Sequence, residues 1–544
     1  MTISTRQRLA DAALARMLRA PKPRNPYAVE AVQVPMRDGV ALVADHYAPT
    51  TTSPRPTILI RTPYGRGFPS SSLNGRMFAA RGYHVILQST RGTFGSGGTF
   101  EPMAQETHDG QDTVAWLRTQ PWFDGRLATL GGSYLAWTQW TVLQDPPPEL
   151  RTAIVYVGPH DFRKAVFGRG AFTLGDFLGW TNQITTQEDG GHLRRLIQAV
   201  TAGRKLEPVL AGLPLADAAD PLLRGRAPWY RTWLSHPDGD DPFWDPYRAG
   251  AALDRVDVPV LLIGGWQDLF LDQTLEQYAT LRERGVEVGL TVGPWTHVEA
   301  ATRATARINS ETIDWLDAHL ADGPAARRPP VRVFRTGEKR WYDLPGWPPA
   351  TTRTTYHPQP DGNLGTAPSG VAAAVTFRYD PADPTPSVGG RMMSGTMGVR
   401  DNRGVESRPD VVTFTTHPLA AALDVTGAPV VALAVAVDNP HADVFVRLCD
   451  VDERGRSHNF SDVLRRLDPA VPAGEIQHLT LDLDPCFHRL LPGHRLRLQI
   501  SGGAFPRYAR NLGTDGTPAK GDALQPSTHT IQCTDSTLHL PTTA

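Results

Sequence analysis

The chain has 544 residues, of which 40% are hydrophobic, and its formal net charge at neutral pH is −1. That length exceeds one ordinary domain and can fill more than one core, so two or three domains are expected. The balanced charge, with a pI near 7.0, favours neither a nucleic acid nor an anionic membrane as partner, and it predicts a small-molecule substrate.

The amino-terminal segment Met1–Arg19 is predicted to form an amphipathic helix, because arginines interrupt its apolar positions and break the continuous core of a signal peptide. Docking on the protein surface is favoured over membrane association. No stretch of the sequence approaches the ~18 apolar residues of a membrane span. The three cysteines, Cys449, Cys486 and Cys533, are scattered without metal-ligand spacing, which suits a reducing cytoplasm.

The next part of the chain alternates strand and helix patterns, as an α/β fold does. The residues from Val32 to Tyr47 predict two strands that turn at Asp38-Gly39. Two apolar strands follow at Ile58–Ile60 and Val85–Leu87, and a helical pattern runs from Asp109 to Thr119.

A glycine pair then places a lone serine, Ser133, between an apolar strand and a helical pattern. In a nucleophile elbow the serine is strained, so small neighbours such as Gly131 and Gly132 are needed and the hydroxyl is pushed clear of the sheet. The usual elbow has a glycine two residues after the serine, where this chain has Leu135. Since Gly-Gly-Ser turns are also common in plain loops, the motif alone does not decide the function.

Two later strand ends carry the other residue types of a hydrolase triad, in the chain order of α/β-hydrolases. The apolar run Val258–Ile263 predicts a strand, and Asp268 lies just beyond its carboxyl end. The run Val288–Val292 predicts another strand, and His297 follows it. Taken singly, Asp268 is explained as a turn aspartate and His297 as a loop histidine. Together with Ser133, their order favours catalysis.

The pattern changes twice more along the chain. A strand is predicted at Ala153–Val157. Between Arg163 and Tyr247 the sequence has no strand repeat, and its apolar residues lie at helical spacing, as in Leu193, Leu196, Ile197 and Val200. Short alternating strands appear later, as in Val444, Val446 and Leu448, and in Leu496, Leu498 and Ile500. The sequence therefore predicts α/β-hydrolase parts at 1–158 and 251–325, an inserted helical cap at 159–250, and a C-terminal β-sandwich at 326–544.

With these motifs in view, the chain resembles the cocaine esterase-like serine hydrolases, a family that includes α-amino acid ester hydrolases, β-lactam acylases and X-Pro dipeptidyl peptidases. The family's serine motif G-x-S-Y-x-G is matched from Gly131 to Tyr134, with Ala136 in place of the last glycine. The acid motif resembles Gly265–Asp268, and the histidine motif resembles Gly293–His297. Other matching pieces are Arg37–Val40, Arg61–Tyr64 and Thr90–Gly92. The resemblance covers nearly the whole chain and implies that the sandwich is a jelly roll.

The attack of a serine creates an oxyanion, and each donor that meets it is worth roughly 3 kcal/mol of barrier. The backbone N–H of Tyr134 supplies one donor, and the family's Pro-Tyr motif implies the hydroxyl of Tyr64 as the second. Without the resemblance, Tyr64 is explained as an aromatic residue packed on the sheet. Three aromatic residues are predicted to line the acyl pocket, namely Trp180, Trp266 and Phe270, although wall packing explains Phe270 equally well.

The sequence therefore predicts a serine hydrolase that cleaves carboxylic esters or amides through an acyl-enzyme, with Ser133, Asp268 and His297 as its triad and no cofactor or metal. An X-Pro dipeptidyl peptidase, or a β-lactam or amino-ester acylase, stays open as an alternative. A peptidase needs a carboxylate for the substrate's amine and a small proline pocket, and neither is visible in the sequence. A catalytically inactive binding scaffold is the alternative from another class. The natural acyl and leaving groups, and whether the chain forms a homo-oligomer, are left open.

Overall fold

A computed structural model describes residues 25–50, 54–190, 205–321, 328–370, 372–393 and 396–543, with isolated positions at 9, 12, 13, 15, 16, 203 and 323. The chain divides into two compact units. The first holds residues 1–163, 242–265 and 270–332, and the second holds residues 164–241, 266–269 and 333–544. The predicted amphipathic helix at Met1–Arg19 lies mostly outside the described residues, and the helical pattern from Leu193 to Val200 lies wholly outside them.

The first unit is built on a mostly parallel sheet whose strands pair in the order β1-β2-β4-β3-β5-β6-β7-β8. Their bounds are β1 Tyr27–Pro35, β2 Ala41–Pro49, β3 Arg55–Thr62, β4 His84–Ser89, β5 Phe123–Gly132, β6 Leu150–Tyr156, β7 Val260–Gln267 and β8 Val288–Thr296. β1 and β2 are antiparallel, whereas β3 pairs in parallel with β4 and β5, and β6 pairs in parallel with β5 and β7. Since carboxyl ends of parallel strands share one edge, the residues that follow β5 and β7 lie at the same edge.

Helices connect these strands because a parallel pair needs a crossover. The helices found among the described residues are α1 Glu106–Arg118, α2 Tyr134–Val142, α3 Phe162–Phe167, α4 Leu174–Thr186, α5 Leu215–Leu223, α6 Pro228–Ser235, α7 Ala251–Arg255, α8 Leu271–Glu283, α9 His297–Ala300, α10 Thr305–His319 and α11 Arg403–Glu406. Short helical turns lie at Ser71–Arg76, Met77–Ala79 and Pro242–Tyr247. In the part of the chain that the structure describes, no helix is both long and apolar enough to cross a bilayer.

One core of the first unit lies between the sheet and its first two helices. Val114 and Leu117 of α1 and Val142 of α2 pack with Leu59 of β3 and Ile86 of β4, and all five are buried. β4 and β7 are buried along their whole length, as parallel strands covered on both faces are. The predicted strands and the helix of this part of the chain are confirmed, although their observed ends differ by a few residues.

In the second unit, the strand pairs formed from Thr352 onward are antiparallel. The strands are β9 Val331–Arg335, β10 Arg340–Leu344, β11 Thr352–Pro358, β12 Leu364–Gly365, β13 Ala374–Tyr379, β14 Val411–Thr415, β15 Leu423–Gly427, β16 Val430–Val437, β17 Asp443–Val451, β18 Ser457–Arg466, β19 Ile476–Asp482, β20 Cys486–Leu490, β21 Arg495–Ser501, β22 Ser527–Gln532 and β23 Thr537–Thr543. One sheet has the order β12-β11-β23-β16-β22-β13, and another has the order β14-β21-β17-β18.

The alternating residues that predicted this second architecture face a common core. Val444, Val446 and Leu448 of β17 are fully buried with Leu498 and Ile500 of β21. Antiparallel strands with one apolar face bury that face against a second layer. The predicted fold class, an α/β-hydrolase part followed by an antiparallel β part, is therefore confirmed.

The other face of β17 is also buried, and it carries an ion-paired cluster around one carboxylate. Asp462 on β18 accepts from Arg447 at 2.9 Å and from Arg507 at 2.7 Å. Arg447 also donates to Asn402 at 2.7 Å and to the carbonyl of Gly389 at 3.0 Å. Burial alone would raise the pKa of the Asp462 carboxyl, but Arg507 and Arg447 outweigh burial and lower the pKa below its usual range.

Candidate active site

Ser133 lies on a sharp turn between β5 and α2, at the position predicted from the glycine pair. Its backbone has φ 59° and ψ −123°, a conformation that residues with a side chain rarely adopt. The Ser133 N–H donates to the carbonyl of Tyr156 at 3.1 Å. The Ser133 carbonyl accepts from the amides of Ala136 and Trp137. Hydrogen bonds therefore hold the strained residue on both sides of its Cα.

Two close approaches explain why small residues surround this serine. A Cβ on Gly132 would lie 2.3 Å from the ring of Tyr156. A Cβ on Gly158 would lie 2.0 Å from the Cβ of Ala136, far inside van der Waals contact. The methyl group of Ala136 fits because residue 158 is glycine. The family motif has glycine at the position of Ala136.

His297 is the first residue of α9 and directly follows β8. Its Nε2 lies 2.9 Å from the Oγ of Ser133, within hydrogen-bond distance. The helix begins with a capping box, in which Thr296 Oγ1 accepts from the Glu299 amide at 3.3 Å and Glu299 Oε2 accepts from the Thr296 amide at 3.1 Å. The box encloses His297 and so fixes the backbone that carries its imidazole.

Asp268 and Phe270 follow the end of β7, the neighbour of β8 in the sheet order. Asp268 is fully buried, and its role as the partner of His297 stays a prediction. The ring of Phe270 stands edge-on to the His297 imidazole, with centroids 5.4 Å apart and planes at 77°. Within the first unit, the structure therefore brings Ser133, His297 and Phe270 together.

Tyr64 and Tyr134, the two residues predicted to meet an oxyanion, are neighbours. Tyr64 follows β3, and its ring stands edge-on to that of Tyr134 with centroids 6.4 Å apart. Tyr134 is the first residue of α2, immediately after the serine. The first amides of a helix have no acceptor within the helix, which is why this position serves as an oxyanion donor in elbows.

The other two aromatic residues predicted for the pocket lie in the second unit. Trp180 on α4 is buried and stacks with Trp233, at a centroid distance of 6.3 Å. Trp266 donates its indole N–H to the carbonyl of Phe334 at 2.7 Å and packs beside Trp347. These contacts are made within the second unit, and the predicted contact with substrate stays a prediction for both residues.

The structure adds residues around the site that sequence reasoning missed. Glu106 is buried and accepts a hydrogen bond from the hydroxyl of Tyr134 at 2.8 Å. No local signal points to it, because 28 residues separate the pair. Thr296 and Glu299 did carry a signal, since Thr-x-x-Glu before a helix is a capping-box pattern. Among the described residues, no group of three or more His, Cys, Asp or Glu side chains is placed to hold a metal ion.

A serine on a strand-to-helix turn of a mostly parallel sheet, with a histidine nitrogen at hydrogen-bond distance, defines an α/β-hydrolase of the serine class. Comparison with known proteins agrees. Residues 38–299 match the X-Pro dipeptidyl-peptidase (S15 family), and residues 324–539 match the X-Pro dipeptidyl-peptidase C-terminal non-catalytic domain. Cocaine esterase of Rhodococcus sp. (strain MB1 Bresler) is 32% identical over 90% of this chain and 93% of its own. The chain belongs to the cocaine esterase-like family of hydrolases.

Solved structures show the same fold at lower identity. An α-amino acid ester hydrolase is 24% identical with a TM-score of 0.81, and the match covers 95% of this chain and 97% of that one. A CocE/NonD family hydrolase from Staphylococcus aureus is 18% identical with a TM-score of 0.71, covering 95% and 94% of the two chains. These two likenesses show the fold, and the 32% identity to cocaine esterase over 90% of this chain confirms the family resemblance.

Proposed function

We propose that this protein is a serine esterase that cleaves carboxylic esters through an acyl-enzyme intermediate. The observation that carries the proposal is the 2.9 Å separation of Ser133 Oγ and His297 Nε2 at a strained elbow. A nucleophile and a base within hydrogen-bond reach are the signature of covalent acyl transfer. The similarity to cocaine esterase supports an ester as the scissile group.

In the proposed reaction, Ser133 Oγ attacks the ester carbonyl while its proton passes to His297 Nε2. The tetrahedral intermediate collapses, the C–O bond to the alcohol breaks, and the imidazolium returns its proton to the leaving alkoxide. Water then attacks the acyl-serine with the same base, releasing the acid and restoring the hydroxyl. No other reactant is consumed.

The negative oxygen of each tetrahedral intermediate requires fixed donors. We assign these to the Tyr134 amide and the Tyr64 hydroxyl, because the rings of the two residues stand edge-on with centroids 6.4 Å apart. Deleting one such donor raises the barrier by roughly 3 kcal/mol. We propose that Asp268, which follows β7 and is fully buried, fixes the tautomer of His297.

Phe270, edge-on to His297, is proposed to form the wall against which the acyl group packs. Trp180 and Trp266 are proposed to extend that apolar lining. An apolar aromatic wall favours uncharged acyl groups over charged ones, because burial of an unpaired charge is costly. Short-chain and aromatic esters are therefore the expected substrates.

The test is the variant Ser133→Ala, compared with the wild type in ester hydrolysis, fluorophosphonate labelling and circular dichroism. Alanine fits a turn already made of small residues, so the fold should persist while labelling and turnover disappear. Retained activity above about a thousandth of the wild-type value would reject the nucleophile. Loss of labelling with an intact fold also excludes an inactive binding scaffold.

A second variant, Asp268→Asn, tests the proposed acid. An amide in place of the carboxylate allows the wrong histidine tautomer, and the loss in a serine protease triad is about 10⁴-fold in kcat. Activity above about a tenth of the wild type would mean that another carboxylate, such as Asp272, orients His297.

The match to the X-Pro dipeptidyl-peptidase family favours a second candidate function, a peptidase or an amino-acyl hydrolase that holds the substrate's free amine. Rates on phenyl esters and on Ala-Pro anilides separate the two. We expect the esters to have the higher kcat/KM and acetylation of a substrate's amine to matter little. Faster cleavage of Xaa-Pro amides, abolished by acetylation, would establish the peptidase.

We further propose that residues 1–158 and 251–325 form the hydrolase domain, that 159–250 form its cap, and that the antiparallel part from residue 326 is a jelly roll.

The three cysteines are free and buried. A cytoplasmic location is proposed because thiols persist there.

A further inference from the structure

The residue after the proposed nucleophile is anchored by its side chain to a buried ion pair. The Tyr134 hydroxyl donates to Glu106 Oε1 at 2.8 Å and accepts from the Met103 amide at 2.9 Å. The second carboxylate oxygen, Glu106 Oε2, lies 2.8 Å from Nη2 of Arg61. Tyr134, Glu106 and Arg61 are all at least 97% buried. The hydroxyl therefore has both a donor and an acceptor in a site closed to water.

The same ion pair reaches the chain segment of the other oxyanion donor. Arg61 lies near the end of β3, three residues before Tyr64. Its guanidinium also donates to Gln88 Oε1 at 2.8 Å and to the Glu106 carbonyl at 2.9 Å. A guanidinium held by three partners is a rigid support, because its planar donors fix the geometry. Glu106 thus joins the strand that precedes Tyr64 to the residue that follows Ser133.

The backbone is strained at Met103, which contacts the Tyr134 hydroxyl. Met103 has φ 72°, an uncommon backbone conformation for a residue other than glycine. Its amide is held by the Tyr134 hydroxyl, and its carbonyl accepts from the Trp137 indole at 2.9 Å. Strain of this kind persists where the surroundings over-determine it, and such places cluster at functional sites.

We propose that Glu106, through the Tyr134 hydroxyl, is a positioning residue for the oxyanion site. This inference rests on the proposed function. The Tyr134 amide shares a peptide plane with the Ser133 carbonyl, which accepts from the amides of Ala136 and Trp137. The Tyr134 side chain, fixed by Glu106 and Met103, holds the same residue from its other side. Donors contribute to catalysis only where they meet the developing charge. Burial raises the pKa of the Glu106 carboxyl, with Arg61 and Tyr134 acting in the opposite direction.

The test compares Tyr134→Phe with Tyr83→Phe. Tyr83 is a matched control, because it is buried and its hydroxyl donates to a carboxylate, Asp317 Oδ1, at 2.6 Å elsewhere in the first unit. Active sites are counted with a fluorophosphonate, and kcat and KM are measured on 4-nitrophenyl acetate per titrated site. Counting sites removes any loss of folded protein from the comparison.

We expect Tyr134→Phe to lower kcat per site about tenfold with KM changed less than twofold, a smaller loss than removal of a donor itself. The inhibition constant of phenylboronic acid, whose serine adduct is tetrahedral, should rise by the same factor as kcat/KM falls. Tyr83→Phe should change neither. A kcat per site within twofold of the wild type, an unchanged boronate affinity, or an equal loss in Tyr83→Phe would overturn the proposal.

A second variant, Glu106→Gln, keeps the size of the side chain and removes its charge. If Glu106 acts through Tyr134, the double variant Glu106→Gln/Tyr134→Phe loses no more kcat per site than the worse single variant. Additive losses would show that the two residues act separately and would overturn the proposal. Failure of the proposed function is distinct, because in that case Ser133→Ala would still be labelled or active.

Discussion

The contact between Gly158 and Ala136 allows a sharp test of how the elbow is built. Gly158→Ala would place a Cβ 2.0 Å from the Ala136 Cβ, whereas carbon atoms pack at about 3.5–4.0 Å. Neither atom belongs to a flexible side chain, so the strand end or α2 must move. We expect a loss of about 1–3 kcal/mol in the free energy of unfolding, together with a fall in kcat, because the displaced segment carries Ser133.

Ala136→Gly should restore the packing in the double variant. By itself that change costs about 1 kcal/mol, the penalty of glycine inside a helix. The double variant should therefore be more stable than Gly158→Ala alone and should recover esterase activity. Urea unfolding and ester hydrolysis measure both effects. Equal stability of Gly158→Ala and the wild type, or purely additive losses in the double variant, would refute the steric reasoning.

Three further outcomes are expected. Tyr64→Phe, which removes only a hydroxyl, should lower kcat roughly a hundredfold with little change in KM, and an unchanged kcat would assign the ring to packing. Thr296→Ala removes the side-chain cap shared with Glu299, which should cost about 1 kcal/mol of local stability and about fivefold in kcat. Thr296→Ser keeps the hydroxyl and should retain activity. Equal losses of kcat in the two variants would contradict a capping role. Burial, aided by His46, lowers the pKa of His84 to about 4. As the pH drops, the unfolded chain takes up the proton before the folded one, so the free energy of unfolding should decrease between about pH 6.5 and pH 4. In urea unfolding, His84→Gln should show a smaller decrease over the same pH range.

The parts of the site that could be predicted from sequence depend on short-range patterns. The elbow was visible because Gly131 and Gly132 precede Ser133 between a strand and a helix. His297 was visible because an apolar run ends just before it. Strand ends differed by a few residues, as for β7, where the apolar run stops at Ile263 but the strand continues to Gln267, because an apolar pattern does not mark where the extended backbone ends.

The parts that could not be predicted depend on contacts between distant segments. Arg61 and Glu106 are 45 residues apart, and nothing near Glu106 distinguishes it from any helix-start carboxylate. The need for glycine at Gly158 is likewise set by Ala136 on a different element. Apolar periodicity reports which face is buried, but it does not report which polar group a buried side chain meets.

The ion-paired cluster around Asp462 has a consequence for how the second unit assembles. Its two carboxylate oxygens are shared between Arg447 on β17 and Arg507 beyond β21. If either arginine were not yet in place, the buried carboxylate would lose one of its two hydrogen-bonded arginines, which costs several kcal/mol. Partly assembled forms are therefore disfavoured, and we expect β17, β18 and the segment around Arg507 to open to hydrogen exchange together.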